Sequence, residues 1–197
     1  TMQTSRGCPW RCDFCASTVM LASRYRRRPA AAVLRDVRAL QELHPGAFLE
    51  FADDNTFVDK AWSAELLRGL APLGLRWFAE TDVSVADDPE LLDLLAGSGC
   101  RQLLVGLESP RAPALAGVEL RSDFKARRAG DYRRAIAAIQ SRGITLNGCF
   151  VLGLDQHGPE IFDEVERFAR EQGLYEVQIT ALTAFPGTPL LERLERE

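Results

Sequence analysis

The chain has 197 residues, a 46% hydrophobic composition and a formal net charge of −4. This is enough chain for one sizeable domain with its own core, of ordinary globular composition. The negative balance argues against general electrostatic attraction to nucleic acid, though not against a local basic patch, and no apolar run is long enough to span a bilayer. The expectation is a soluble, cytoplasmic protein.

Residues 2–5 read as a first strand that leads straight into a loop carrying Cys8, Cys12 and Cys15. Residues 29–43 read as a helix, because Val33, Leu34, Val37, Leu40 and Leu43 recur at helical spacing. His44-Pro45-Gly46 ends it. Residues 47–52 form a second predicted strand, followed by the polar turn Asp53-Asp54-Asn55. A helix over 60–73 and a strand over 75–80 come next, then a helix over 89–96 with Pro89 at its start, where proline is tolerated. Residues 101–107 read as a fourth strand that ends in Gly106-Leu107-Glu108-Ser109.

Residues 110–129 look irregular and charged, longer than a typical connection, and so read as a functional loop. A helix over 131–141, a strand over 144–152, a helix over 159–172 and a strand over 175–182 follow. Thr188 is the candidate N-cap of a last helix, with Pro189 at its first position. Six strand–helix units predict an α/β fold, a parallel sheet with right-handed helical crossovers. The periodicity fits a partial, open (β/α)6 barrel but also a doubly wound sheet. Both ends read as cut from a longer chain: Thr1 precedes Met2, and residues 190–197 stop inside a predicted helix.

The cysteine loop is the richest signal. In Cys8-Pro9-Trp10-Arg11-Cys12-Asp13-Phe14-Cys15 the thiols stand three and then two residues apart, close enough to converge on one metal centre. Cysteine thiolates are the normal ligands of iron–sulfur clusters. Three of them leave one iron of a [4Fe–4S] cluster open, and an open position marks a reactive centre. Structural zinc is the rival reading, but His44 and His157 are isolated and form no ligand pair. A disulfide reading is poorly served by five cysteines in a chain without a signal peptide.

With Phe14 just before its last cysteine, this motif resembles the signature of the radical S-adenosylmethionine (radical SAM) enzymes. The resemblance extends over nearly the whole chain, taking residues 1–197 as one core domain. The phrases Phe51-Ala52-Asp53-Asp54-Asn55-Thr56-Phe57, Val105-Gly106-Leu107-Glu108-Ser109 and Phe185-Pro186-Gly187-Thr188-Pro189 look most like the subgroup with an N-terminal cobalamin-binding domain. It implies a partial, TIM-barrel-like (β/α)6 barrel and a [4Fe–4S] cluster on Cys8, Cys12 and Cys15. It also implies S-adenosylmethionine on the open iron, cleaved reductively to a 5′-deoxyadenosyl radical. Hydrogen abstraction, methyl transfer or cyclisation on a substrate would follow. Cobalamin would enter through a domain outside this chain. The reductant would be a donor such as flavodoxin or ferredoxin.

Barrel active sites lie at the C-terminal ends of the strands, where this sequence concentrates polar residues. The family often has Gly-Gly-Glu after the second strand, where this chain has Asp53-Asp54-Asn55. By resemblance Asp53 and Asp54 are candidates for the methionine amino group, Glu80 and Glu108 for that group or the ribose, and Phe14 for the adenine. Strand-end aspartates equally serve as helix caps and turn formers. Arg24, Arg26, Arg27 and Arg28 read as a solvated face, or as a source of carboxylate recognition. Lys125, Arg127 and Arg128 are candidates to cover the mouth. Trp10, Trp62 and Trp77 read as core or pocket packing, Cys100 and Cys149 as buried small hydrophobes. The rival class is a non-catalytic iron–sulfur module, in which Cys100 or Cys149 supplies a fourth thiolate.

Overall fold

The structure, a computed structural model, describes residues 1–21 and 24–197. In chain order its elements are β1 (Ser5–Arg6), α1 (Ala16–Met20), β2 (Arg26–Arg27), α2 (Ala30–Leu43), β3 (Phe48–Phe51), α3 (Lys60–Leu70) and β4 (Arg76–Thr81). They continue with α4 (Pro89–Gly97), β5 (Cys100–Glu108), α5 (Phe124–Ala129), α6 (Tyr132–Gln140), β6 (Thr145–Leu152), α7 (Ile161–Glu171), β7 (Glu176–Ala181) and α8 (Pro189–Leu194). Strands β3 to β7 pair in sequence order, every pair parallel. They form a curled half-barrel, a partial TIM barrel with helices outside. The doubly wound alternative is excluded, because its strand order would reverse direction.

Along β5, Leu103, Val105 and Leu107 are fully buried, while Leu104 and Gly106 alternate with them. The first set meets the helices and the second lines a cavity on the concave face. The buried layer continues through Trp77 and Ala79 of β4, Leu146 and Phe150 of β6, and Leu66, Leu92 and Ile139 from the helices. Fully burying each large apolar side chain contributes roughly 1.5–3 kcal/mol.

The predicted first strand is corrected. Residues 2–5 do not join the barrel as a full strand. Met2 makes a single parallel bridge to Phe51, and Ser5–Arg6 turns away to pair antiparallel with Arg26–Arg27. The cause is Asp53, whose carboxylate accepts the backbone N–H groups of Thr4 (2.7 Å) and Ser5 (2.8 Å) and the Thr4 hydroxyl. Those donors are taken from any sheet ladder. Residues 110–129 are also less irregular than expected. They hold a 3-10 turn at Ala112–Leu115 and the helix α5. Thr188 caps α8 as predicted, accepting the Leu191 N–H at 3.3 Å, with Pro189 first in the helix.

Candidate active site

The cysteine loop occupies the C-terminal end of the half-barrel and is pinned on both flanks. The Asp54 carboxylate accepts the Gly7 N–H (2.9 Å) before Cys8, and the Ser17 hydroxyl after Cys15. Gly7 has φ +83°, and a Cβ there would lie 2.4 Å from the Arg24 carbonyl oxygen, so only glycine fits. Trp10 extends from the loop, stacks on Phe124 with centroids 4.0 Å apart, and donates its indole N–H to Asp82 at 2.7 Å.

Cys8, Cys12 and Cys15 line one cavity of about 300 Å³, together with Phe14, Asp54, Glu80, Glu108, Lys125 and Cys149. Asn55, in the same wall, donates to Asp82 (2.7 Å) and approaches the Cys8 sulfur at 3.8 Å. Burial pushes the Cys8 thiol up to about 11 and Cys12 higher still. Metal binding must therefore displace thiol protons. Among the described residues no three His, Cys, Asp or Glu side chains are arranged to hold a single metal ion.

Three thiols converge on a cavity, an amide N–H faces one sulfur, and the loop backbone is fixed on both sides. A multi-iron cluster held by three thiolates fits this donor set. Hydrogen bonds to cluster sulfurs are one of the levers by which a protein tunes potential.

The carboxylates divide. Glu80 faces the cavity from the end of β4; its carbonyl accepts the Thr56 N–H at 3.0 Å, but its carboxylate accepts no hydrogen bond among the described residues. Burial first, then repulsion by Glu50, Asp54 and Asp53, raises it above the ordinary carboxylate range. Glu108, buried in the left-handed region at φ 62°, is ion-paired at 2.6 Å with Lys125, whose ammonium also donates to the Gly106 carbonyl at 2.9 Å. Burial alone would lower Lys125, but the Glu108 charge overcomes it and keeps the ammonium protonated. Burial would likewise raise Asp82, but hydrogen bonds from Ser84, Trp10 and Asn55 hold it below the usual range.

Asp53 is not brought to the cavity. Both its oxygens are spent on Thr4 and Ser5, so its placement is that of a backbone stitch. None of the arginines at 24 and 26–28 lines the cavity either. Arg27 pairs with Asp59 at 2.7 Å, and Arg28 pairs with Asp36. Lys125 is a buried wall of the site rather than a cover over its mouth, and Arg128 ties to Asp87 at 2.6 Å. Trp62 and Trp77 are core, but Trp10 also lines the cavity. Cys100 is buried at the start of β5, opposite the loop, whereas Cys149 faces the cavity from β6 and is not simply a core residue.

Sequence reasoning missed the roles of Asn55, Asp82 and Glu119. Asn55 stood in the strand-end turn already named, and Asp82 lies two residues past the strand predicted over 75–80. Glu119 sat in a segment read as irregular, and no local pattern marked it.

The family model described as Radical SAM superfamily matches residues 2–169. The chain belongs to the radical SAM superfamily. Its members use a [4Fe–4S] cluster and S-adenosylmethionine. The chain is 29% identical over 193 residues to a bacteriochlorophyllide d C-12(1)-methyltransferase of Chlorobaculum tepidum, covering 97% of this chain and 41% of that protein. It is 26% identical over 193 residues to an anaerobic magnesium-protoporphyrin IX monomethyl ester cyclase of Rubrivivax gelatinosus, covering 96% and 34%. Among solved structures it resembles TsrM, a radical S-adenosylmethionine methyltransferase from Kitasatospora setae solved with cobalamin and a [4Fe–4S] cluster. The TM-score is 0.84 at 24% identity, over 99% of this chain and 39% of that one. That likeness shows the shared fold. This radical SAM chain thus spans about two fifths of the length of the methyltransferase relative.

Proposed function

We propose that this chain is the catalytic core of a radical SAM enzyme in which Cys8, Cys12 and Cys15 hold a [4Fe–4S] cluster with one iron open. The observation that carries this reading is the single cavity shared by the three thiols, Phe14, Glu80 and Glu108. When bound, the cluster supplies the electron that cleaves S-adenosylmethionine reductively.

The chain's own residues bind and orient. Glu80 presents a carboxylate with no internal partner to the cationic ammonium of the methionine moiety, where Asp54 adds negative field. Phe14 offers an apolar surface for the adenine. Asp54, Asn55 and Asp82 fix the loop from which the thiols project. Lys125 holds Glu108 in its left-handed conformation, and the pair gives the cavity wall a defined shape.

The relatives favour methyl transfer or cyclisation on a substrate bound largely by segments outside this chain, with cobalamin supplied by such a segment. An electron donor such as flavodoxin or ferredoxin would serve a cytoplasmic enzyme. No helix among the described residues is long and apolar enough to cross a membrane.

A second reading, a closed and non-catalytic cluster, is favoured by one observation: Cys149 lines the same cavity. Anaerobic reconstitution with iron and sulfide, followed by EPR of the reduced chain, separates the two. A [4Fe–4S] signal that changes on adding S-adenosylmethionine supports the open iron. A signal blind to it supports the closed site.

A further inference from the structure

Cys12 lies between two residues that are both bonded to the same distant segment. The Leu120 N–H donates to the Arg11 carbonyl (3.0 Å), and the Asp13 N–H donates to the Val118 carbonyl (2.9 Å). Cys12 itself forms an antiparallel bridge with Glu119. The middle thiol therefore takes its position from residues 118–120, more than a hundred positions downstream.

The shape of that segment is set by one side chain. Glu119 is 1% exposed. Its Oε1 accepts the N–H of Arg11 (3.1 Å) and of Arg121 (3.0 Å). Its Oε2 accepts the N–H of Ser122 (2.9 Å), the Ser122 hydroxyl (2.7 Å) and the Phe124 N–H (3.3 Å). A carboxylate is the side chain with acceptor capacity for so many donors, and hydrogen bonds to an ionised acceptor are roughly twice as strong as neutral ones. The same turn delivers Phe124 to Trp10 and Lys125 to Glu108.

We propose that Glu119 is a positioning residue for the cluster: its carboxylate clasps the cysteine loop to the 118–124 segment and fixes where the Cys12 sulfur meets iron. This rests on the cluster reading of Cys8, Cys12 and Cys15. Glu119 touches neither the cluster nor the cavity and acts through the backbone on either side of Cys12. The two oxygens divide the work, since Oε1 reaches the cysteine loop while Oε2 serves only the segment's own turn.

That division dictates the test. In Glu119→Gln one oxygen becomes an N–H donor. Kept on the three donors at Oε2, the remaining oxygen leaves an amide N–H facing those of Arg11 and Arg121, and the cysteine loop loses its side-chain contact to the 118–124 segment. Ser122→Ala removes one donor at Oε2 and leaves the Arg11 contact alone. Each variant is reconstituted anaerobically, then assayed for iron and sulfide per chain, the EPR of the reduced cluster, its midpoint potential, and its loss to an iron chelator.

For Glu119→Gln the expected result is a chelation rate raised by about tenfold or more, the scale on which groups that orient metal ligands act. An altered EPR spectrum and potential should accompany it, with Ser122→Ala like the wild type. If Glu119→Gln does not fold, Glu119→Asp, which keeps the charge but draws back from Arg11, is read the same way. A chelation rate, spectrum and potential unchanged from wild type overturn the clasp. Equal changes in Glu119→Gln and Ser122→Ala also overturn it, because they assign the effect to the turn alone. A wild-type chain that assembles no cluster overturns the cluster reading, and the clasp with it.

Discussion

The Lys125 ammonium and the Glu108 carboxylate meet at 2.6 Å inside the wall of the cavity that Cys12 also lines, both side chains largely out of water. Their attraction compensates two desolvation penalties, so the net contribution of the pair is smaller than its geometry suggests. Its value lies in what happens when one partner is removed.

Lys125→Met should destabilise the chain by about 3–5 kcal/mol, because Glu108 is left as a buried charge without a partner. The double variant Lys125→Met with Glu108→Gln should recover much of that loss. Denaturant unfolding of the metal-free chain measures both. If the single and double variants unfold alike, the pair is not coupled and this account fails.

Gly106 makes the same point sterically. A Cβ there would lie 2.7 Å from Glu108 Oε1 and 3.0 Å from Lys125 Nζ. Gly106→Ala should therefore displace the ion pair without removing a charge. We expect the variant to keep its cluster but bind S-adenosylmethionine about tenfold more weakly, a change of roughly 1.4 kcal/mol. Equilibrium dialysis on the reconstituted protein reads it, and unchanged affinity would show that the pair does not shape the cofactor's site.

Cys149 decides between an open and a closed cluster. Cys149→Ser should retain wild-type iron, sulfide and EPR, while Cys12→Ser loses them. Cluster loss in Cys149→Ser would instead make it a fourth ligand and leave S-adenosylmethionine no iron to bind.

Much of this was legible from local pattern. Helical spacing at Val33, Val37 and Leu40 located α2, the Thr188-Pro189 pair marked the start of α8, and the cysteine spacing marked the loop. What was not legible depends on partners distant in sequence. Asp53 and Asp54 are adjacent and of one type, yet Asp53 is diverted to Thr4 and Ser5 while Asp54 reaches Gly7 and the cavity wall. No spacing rule separates them, because the choice is made by where residues 4–7 pass. Glu119 was hidden for the same reason, its key acceptor contact lying 108 residues away at Arg11. Residues 2–5 had the pattern of a strand, but only Met2 pairs with the barrel, and the Asp53 side chain outcompeted the sheet for the N–H groups of Thr4 and Ser5.

Glu80 is the cavity carboxylate with no internal hydrogen bond among the described residues, so its substitution should report on ligand rather than fold. Glu80→Gln relieves repulsion from Glu50, Asp54 and Asp53 and should leave the metal-free chain as stable as wild type or slightly more so. Its affinity for S-adenosylmethionine should fall about tenfold, as for the loss of one charge-assisted contact. A stable variant with wild-type affinity would remove Glu80 from the binding site.

His157 gives the chain a pH dependence whose sign is fixed. The Gly153 N–H donates to Nδ1 at 3.2 Å, so Nδ1 is the acceptor and the proton sits on Nε2, which donates to Ser109 Oγ at 3.0 Å. Burial, then the nearby Arg111 charge, lowers its pKa below the ordinary 6.5, while Glu164 and Glu160 pull weakly the other way. In the folded chain the imidazole is neutral where the unfolded chain already binds a proton. Stability should therefore be fully present above about pH 6.5 and decline as pH falls toward the folded value. Glu160, by a hydrogen bond from its own backbone N–H and then by Arg111, and Glu164, by Arg111, are both held below the ordinary 4.5 and titrate lower, outside this window. Unfolding of the metal-free chain between pH 7.5 and 5 should show a slope that His157→Gln flattens. A slope of opposite sign, or one that survives the substitution, would assign the titration to another group.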